Sequence, residues 1–180
     1  METINENVAK KLIVRKKISN IFKNYKDLKV DVYKAEYQVK EFKQKLSLLK
    51  SNRADFVKQR DEEKREHKDK RNQNKIKSFD RKIENVDTEV EKVEAKIEIL
   101  TERLSQNKER IKYLLDRAKD LAKDAKLTNY FQNKKYVENT NIMRERLKLI
   151  KDPKLRGEIA DLLKQRVGKV QQIIQKIKGE

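Results

Sequence analysis

The only imidazole in this chain is His67, and the chain has no cysteine. His67 lies within residues 57–75, a strongly charged stretch in which nothing apolar would desolvate or orient a catalytic group. A helical Glu-x-x-His pair of metal ligands would need an acid at position 64, which is Lys64. The first glycine is Gly157, so a glycine-rich phosphate loop is absent from most of the chain. We therefore expect no catalytic residue, no cofactor and no metal site, and no enzymatic activity.

Positive charge is the feature of the sequence with the clearest chemical consequence. The segment 8–26 contains seven lysines or arginines and no acid. An unpaired basic cluster attracts polyanions, and with nucleic acid the contacts are made to phosphates. Lysine outnumbers arginine in the chain, which favours attraction to the phosphate backbone over bidentate reading of bases. The predicted polyanion-binding residues are Lys10, Lys11, Arg15, Lys16, Lys17, Lys23 and Lys26.

Three other interpretations of this basic segment remain open. It could dock an acidic protein, or it could be a solvated surface without a partner. It could also lie on a membrane surface, because Leu12, Ile13 and Phe22 make the segment amphipathic. The membrane interpretation ranks lower, since Val14 and Ile18 are needed for the helical seam described below. Nucleic acid and proteins of a larger assembly are the favoured partners, self-association is compatible, and no small-molecule substrate is expected.

The composition limits the fold class. The chain has 180 residues, a formal net charge of +18 and 43% charged residues. With 36% hydrophobic and 6% aromatic residues it cannot fill the thick core of a layered α/β domain, and the mix is typical of long helices. No apolar run approaches the length of a membrane-spanning helix. We expect a cytoplasmic location or a place within a virus particle, since the Lys, Ile and Asn bias fits an AT-rich genome.

Hydrophobic periodicity predicts the architecture. Residues 1–152 contain neither glycine nor proline. Residues 14–56 and 76–125 each place apolar residues at alternating steps of four and three, over about six or seven heptads, as coiled coils do. The two repeats are out of phase, and residues 57–75 between them are almost devoid of apolar residues. The predicted fold is all-α: a long antiparallel coiled-coil hairpin with its turn near 66–74, followed by two shorter helices. A parallel oligomer is the alternative.

Charge pairing across the hairpin predicts its register. The favoured register places Lys45 opposite Glu89 and Lys50 opposite Asp80, and such pairs select register and orientation in coiled coils. Shifting the second helix by one heptad loses most of these pairs. The predicted seam consists of Ile18, Leu28, Phe42, Leu49, Phe56, Ile76, Ile83, Val90, Leu104 and Leu114.

One polar pair is predicted inside the seam. Asn107 interrupts the second apolar repeat, and a buried amide needs a hydrogen-bond partner. In the favoured register it lies opposite Tyr25, whose hydroxyl would supply that partner. The same register sets Arg53 opposite Phe79, where the guanidinium would lie over the ring.

The repeat ends after Ala125, which predicts a boundary. Residues 126–136 contain two asparagines and two adjacent aromatic residues, and they are interpreted as a connection. Helices are expected at about 137–150 and 153–178, with Asp152 capping the last helix and Pro153 in its first turn. The predicted domains are the hairpin, 1–125, and a C-terminal helical segment, 126–180.

The expected function follows from this architecture and charge. We expect a non-enzymatic structural or assembly protein, in which a coiled-coil spacer carries basic ends that contact a nucleic-acid backbone without sequence specificity. A nucleoprotein complex or a phage or virus particle is a plausible setting for such a component. An adaptor that docks an acidic protein is the first alternative, and peripheral membrane binding through the basic N-terminal helix is the second.

Overall fold

The computed structural model describes the backbone of residues 2–66 and 72–179, and the side chains of 6–66, 72–166 and 168–175. Within these residues the helices are α1 (Glu2–Arg65), α2 (Gln73–Asp124), α3 (Thr128–Leu149) and α4 (Pro153–Gly179), and there is no strand. The predicted all-α fold is confirmed, because every described element is a helix. The helices α1 and α2 pack closely, as the predicted helical hairpin requires. His67 lies outside the described residues, as does most of the predicted turn.

The start of α2 is fixed by polar contacts with the end of α1. The Asn72 side chain accepts a hydrogen bond from the backbone N–H of Lys75 at 3.1 Å, which is the geometry of an N-cap. Glu63 on α1 accepts a bond from the Asn72 backbone N–H at 3.1 Å. Its carboxylate also pairs with the Lys75 ammonium at 2.6 Å. These three residues therefore tie the first turn of α2 to the last turns of α1.

The chain divides into two compact units, which we name by their residues. The central unit is Ala35–Leu104, and the terminal unit combines Met1–Lys34 with Ser105–Glu180. This division differs from the boundary expected at residue 125, because the first part of α1 belongs to the same unit as α3 and α4. The terminal unit therefore contains both chain ends.

Contacts in the central unit correct the predicted register. Lys45 pairs with Glu89 at 3.5 Å, as predicted. Lys50, however, pairs with Glu94 at 2.8 Å. Asp80 instead pairs with Arg60 at 3.3 Å. Most pairs thus correspond to a register about one heptad away from the predicted one.

Contacts between lysines and aromatic rings in the central unit agree with this change of register. The Lys96 ammonium lies 5.7 Å from the Phe42 ring centroid, and Lys82 lies 5.4 Å from that of Phe56. Arg53 hydrogen-bonds Asp87 through two guanidinium nitrogens, so the predicted placement of Arg53 over Phe79 is wrong.

The positions of the helix ends explain this correction. The predicted register requires the chain to reverse its direction at Glu66. Helix α1 is still helical at Arg65, and α2 begins only at Gln73, so the reversal falls later in the chain. Exposed ion pairs contribute only about 0.2–1 kcal/mol each. They do not outweigh the constraint that the chain connection places on the two helices.

Acid should destabilise the central unit through its ion-paired carboxylates. A hydrogen bond from Lys75 lowers the pKa of the Glu63 carboxyl below its usual 4.5, and one from Arg53 lowers that of Asp87 below 3.8. A carboxylate with a depressed folded-state pKa stabilises the fold above its unfolded pKa, and this stabilisation is lost as pH falls through the folded pKa. We expect the melting temperature, followed by circular dichroism, to fall as the pH is lowered below about 4.5.

Two neighbouring variants separate this effect from the general repulsion of a basic chain in acid. Glu63→Gln should lower the melting temperature at pH 7 and flatten its dependence on acid, because the pairing with Lys75 is lost. Glu62→Gln removes the same charge from an exposed neighbouring side chain and should leave the profile close to wild type. Identical pH profiles for the two variants would contradict this role of Glu63.

The core of the terminal unit is built around Phe22. Its side chain is completely buried (0% exposed). The Phe22 ring lies 5.8 Å from that of Tyr25 in an edge-on arrangement and 5.6 Å from that of Phe131 on α3. On α2, the small residues Ala118 and Ala122 are also buried. Helix α3 packs in turn against α4. The first part of α1 is therefore covered by more than its hairpin partner.

Helix α3 begins at Thr128, earlier than the expected start near Val137. The segment interpreted as a connection is helical from Thr128 onward, and its adjacent aromatic residues Tyr130 and Phe131 are buried. Asparagine has a weak helix propensity, but tertiary packing of an apolar face contributes more to helix stability than propensity does. Burial of these two rings accounts for the earlier start.

The turn between α2 and α3 is a tight helix ending built without glycine. Lys126 has a positive φ of 55°. Its backbone N–H donates to the Lys123 carbonyl at 3.1 Å, and that of Leu127 donates to the Ala122 carbonyl at 2.7 Å. This is the Schellman pattern, in which glycine usually takes the left-handed position. A lysine there costs of the order of 1 kcal/mol relative to an unstrained backbone.

The start of α4 agrees with the sequence. The Asp152 carboxylate accepts a hydrogen bond from the Lys154 backbone N–H at 2.9 Å, so the predicted cap is confirmed, and Pro153 is the first helical residue. The Arg156 guanidinium donates two bonds to the Ile150 carbonyl, at 3.0 and 2.6 Å. The connection between α3 and α4 is thereby held from both sides.

Candidate polyanion-binding surface

The predicted cationic residues all lie on the α1 part of the terminal unit, but they do not share one environment. Lys10, Lys11, Lys16, Lys17 and Lys23 are exposed. The remaining two, Arg15 and Lys26, are half-buried.

An acid just outside the basic segment also reaches it. Glu6 pairs with Lys10 at 3.9 Å, an exposed contact between successive helical turns. An exposed pair of this kind contributes about 0.3–0.5 kcal/mol. This pair reduces the positive character of the surface slightly at its N-terminal end.

A basic groove forms where α1 meets the turn between α2 and α3, and we call it the Lys126 groove. Its volume is about 450 Å³. Four cationic side chains line it, and none of its described lining residues is acidic. The lining residues are Lys11, Arg15, Lys123, Lys126, Leu127, Thr128, Asn129 and Tyr130.

A second hollow beside this groove is more balanced in charge. Its volume is about 370 Å³, and Lys10, Lys11 and Lys126 line it together with Asp124. Lys11 and Lys126 border both hollows, whereas the carboxylate borders only the second. The strongest positive potential is consequently expected in the Lys126 groove.

Arg15 is held in the groove wall by an aromatic residue. Its guanidinium carbon lies 5.4 Å from the Tyr130 ring centroid, within the range of a cation–π contact. The Tyr130 hydroxyl in turn shares a hydrogen bond of 2.9 Å with that of Ser19. A stacked guanidinium loses less freedom on binding a ligand than one on a flexible side chain does.

The predicted polar pair of the seam is replaced by another. The Tyr25 hydroxyl donates to the Asn139 side-chain oxygen at 3.0 Å, so its partner lies on α3 and is not Asn107. Asn107 is half-buried on α2. Burial raises the pKa of Tyr25, and nearby Arg146 partly offsets this shift. The prediction assumed that only α1 and α2 surround Tyr25, whereas in the structure α3 also packs beside it.

None of the ten predicted seam residues is fully exposed. Half of them are buried and half are partly buried, as expected for a thin two-helix seam. The buried residues are Ile18, Ile76, Ile83, Leu104 and Leu114. The half-buried residues are Leu28, Phe42, Leu49, Phe56 and Val90.

Apolar side chains are exposed among the cations of α1. Val8, Leu12 and Ile13 are 52%, 57% and 56% exposed, respectively. Single exposed apolar residues are normal on protein surfaces, but three on one short basic segment form a small amphipathic strip. Within the described part of the chain, no helix combines the length and apolarity that crossing a bilayer requires.

The side of the groove formed by residues 123–130 is not predicted from the sequence. Lys123 and Lys126 lie at the end of the second heptad repeat, next to ordinary seam residues, and they belong to no recognisable motif. In the predicted register Leu121 lies opposite Lys11, whereas in the structure Lys11 and Thr128 line one groove. A register derived from the helix ends would have brought these residues together.

No family model, curated protein or solved structure matches this chain. Among the described residues, no group of three or more His, Cys, Asp or Glu side chains is arranged to hold a metal ion. The charged surface of the terminal unit is the feature of the described residues with a clear chemical consequence.

Proposed function

We propose that this chain is a non-enzymatic assembly protein, a coiled-coil spacer that contacts the phosphate backbone of nucleic acid through its terminal unit. The observation that carries the proposal is the Lys126 groove, which four cationic and no acidic described residues line and which lies beside the exposed lysines of α1. Phosphates attract such surfaces through counterion release, irrespective of base sequence.

The length of helix over which the cations are distributed supports nucleic acid over a globular acidic partner. Lys11 and Lys26 are on one helix, and at 1.5 Å per residue they lie roughly 22 Å apart along its axis. Duplex DNA offers one phosphate per strand about every 3.4 Å. The basic segment therefore extends over a length that corresponds to about six base pairs of a duplex.

Salt dependence tests the proposal. We expect a fluorescein-labelled duplex to bind the full chain at low salt, with log affinity falling against log salt at a slope of about −4 to −6. Replacing Lys10, Lys11, Arg15, Lys16 and Lys17 together by glutamine should abolish binding while helicity is retained. Lys40→Gln with Lys43→Gln, which removes two charges from exposed positions of the same helix, is the comparison for charge loss outside the basic segment and should bind like the wild type.

Two results would contradict the proposal. Absence of duplex and single-strand binding at low salt would remove nucleic acid as the partner and leave an acidic protein as the alternative. An affinity that stays constant up to several hundred millimolar salt would show that phosphates do not drive the contact.

A membrane surface is the second candidate, and the exposed strip of Val8, Leu12 and Ile13 favours it specifically. Binding to phosphatidylserine vesicles that is lost in Leu12→Ser with Ile13→Ser would support this candidate. The same variant should bind nucleic acid like the wild type if phosphates of the backbone are the true ligand, because neither side chain carries charge.

A further inference from the structure

We propose that the Lys126 groove is a discrete binding site for one phosphate-bearing group, such as a single nucleotide unit within a nucleic-acid strand. The inference rests on the proposed function and refines it. The groove is expected to hold one backbone phosphate in place, whereas the remaining lysines of α1 attract the strand diffusely. It also assigns a role to Lys123 and Lys126, which the N-terminal basic segment does not include.

The first argument is the electrostatic state of the groove. Lys11, Lys123 and Lys126 form no ion pair with any described residue, and they share the groove with the Arg15 guanidinium. The first turn of α3, which closes one wall, contains no acid. The positive charges around one hollow repel each other. A bound anion attracts each of them and so offsets this repulsion.

The second argument is the hydrogen-bonding chemistry of the lining. Ammonium groups are compact point donors to phosphate, and three of the four cations of the groove are lysines. Thr128 and Asn129, whose side chains carry neutral hydrogen-bond donors, also line the groove. Because Arg15 lies over the Tyr130 ring and the Tyr130 hydroxyl is bonded to Ser19, part of this site is formed before a ligand arrives.

The third argument is the residue at the left-handed turn. Lys126 occupies a backbone conformation in which glycine would carry no strain, with φ of 55°. Strained positions often occur where function requires a particular side chain. Here the position lines two adjoining hollows, and a lysine adds to them a positive charge that a glycine would lack.

The size of the groove limits the ligand class. At about 450 Å³ it lies within the range of sites that hold small ligands, and it is too small for a folded partner. No cluster of apolar side chains lines it, since Leu127 and Tyr130 are its only large apolar groups among the described lining residues. A polar anionic group of nucleotide size fits these properties.

The test compares three pairs of Lys→Gln changes, each of which removes two charges, in the full chain. The groove pair is Lys123→Gln with Lys126→Gln, the face pair is Lys16→Gln with Lys17→Gln, and the distant pair is Lys40→Gln with Lys43→Gln. Binding of a fluorescein-labelled oligothymidylate is measured by anisotropy over a range of salt concentrations. Circular dichroism verifies that each variant is folded.

We expect the groove pair to weaken binding by about tenfold or more and to reduce the salt slope by about 2. The face pair should weaken it by less than about threefold, and the distant pair should have no effect. Lys126→Gly alone should weaken binding while its melting temperature stays at or above that of the wild type, because glycine relieves the backbone strain.

The outcomes separate this inference from the proposed function. Equal losses in the groove and face pairs, with wild-type binding intact, would overturn the discrete site and leave diffuse attraction as the mechanism. No binding by the wild type at low salt would overturn the proposed function itself. Lys126→Gly binding as tightly as the wild type would also overturn the role of the Lys126 ammonium.

Discussion

Replacing Phe22 by alanine should destabilise the terminal unit by about 3–5 kcal/mol, the usual cost of removing a completely buried aromatic ring. Phe22 is 0% exposed and contacts Tyr25 and Phe131 through ring–ring packing. Single domains are commonly stable by only about 5–15 kcal/mol, so this loss would remove a large fraction of the total. Urea denaturation followed by circular dichroism measures it.

Two comparison variants test whether the loss has the assigned cause. Leu48→Ala, at a site that is 62% exposed, should change stability by less than about 0.5 kcal/mol. Combining Phe22→Ala with Phe131→Ala should cost less than the sum of the single changes, with a coupling of about 0.5–1.5 kcal/mol. A cost below about 1 kcal/mol for Phe22→Ala would contradict the observed core.

A chain that ends at Lys126 should lose the fold of the terminal unit. Removing α3 uncovers Phe22 and Tyr25, and burial of each large apolar side chain contributes about 1.5–3 kcal/mol. It also removes the hydrogen-bond partner of the Tyr25 hydroxyl, which adds about 1 kcal/mol. Together these losses should raise hydrogen-exchange rates of amides 18–25 by at least about a thousandfold.

Amides of the central unit provide the internal comparison in the same experiment. Neither α3 nor α4 belongs to that unit, so exchange at residues 42–56 should change much less. Unchanged protection of amides 18–25 in the shortened chain would contradict the expectation. It would show that residues 1–125 fold as an independent hairpin domain.

The fold class was predictable because its signal extends over many residues. Two long heptad repeats without glycine or proline leave few alternatives to a coiled coil, and the break near residue 66 predicts a hairpin. The start of α3 was less predictable, since Tyr130 and Phe131 are helical only through burial against residues far away in the chain. Local composition cannot carry that information.

The register and the polar pair failed for different physical reasons. The side chains of Lys50 and Asp80 are exposed, and each can find an oppositely charged partner in more than one register. Each of these ion pairs contributes little to stability. The Tyr25 hydroxyl was matched to Asn107 because a two-helix geometry offers no other partner. The third helix supplies Asn139 as the partner. The sequence alone does not distinguish which of two asparagines, on different helices, lies beside the Tyr25 hydroxyl.

The candidate site was predictable only on the side of α1. A run of cations without acids is visible in one segment, so Lys11 and Arg15 were identified. Lys123 lies among acids and apolar residues, and its contribution depends on which part of α2 faces Lys11. An error of one heptad in register conceals that relationship.

The Lys126 groove combines residues 11–15 with residues 123–130, and this separation has a consequence for biosynthesis. A ribosome adds about 5–20 residues per second, so Lys11 and Arg15 emerge roughly 5–20 s before Lys126 has been synthesised. During that interval the nascent chain presents scattered cations to ribosomal and messenger RNA, but not the groove. If the groove binds a strand as proposed, tight capture begins only after translation has passed the start of α3.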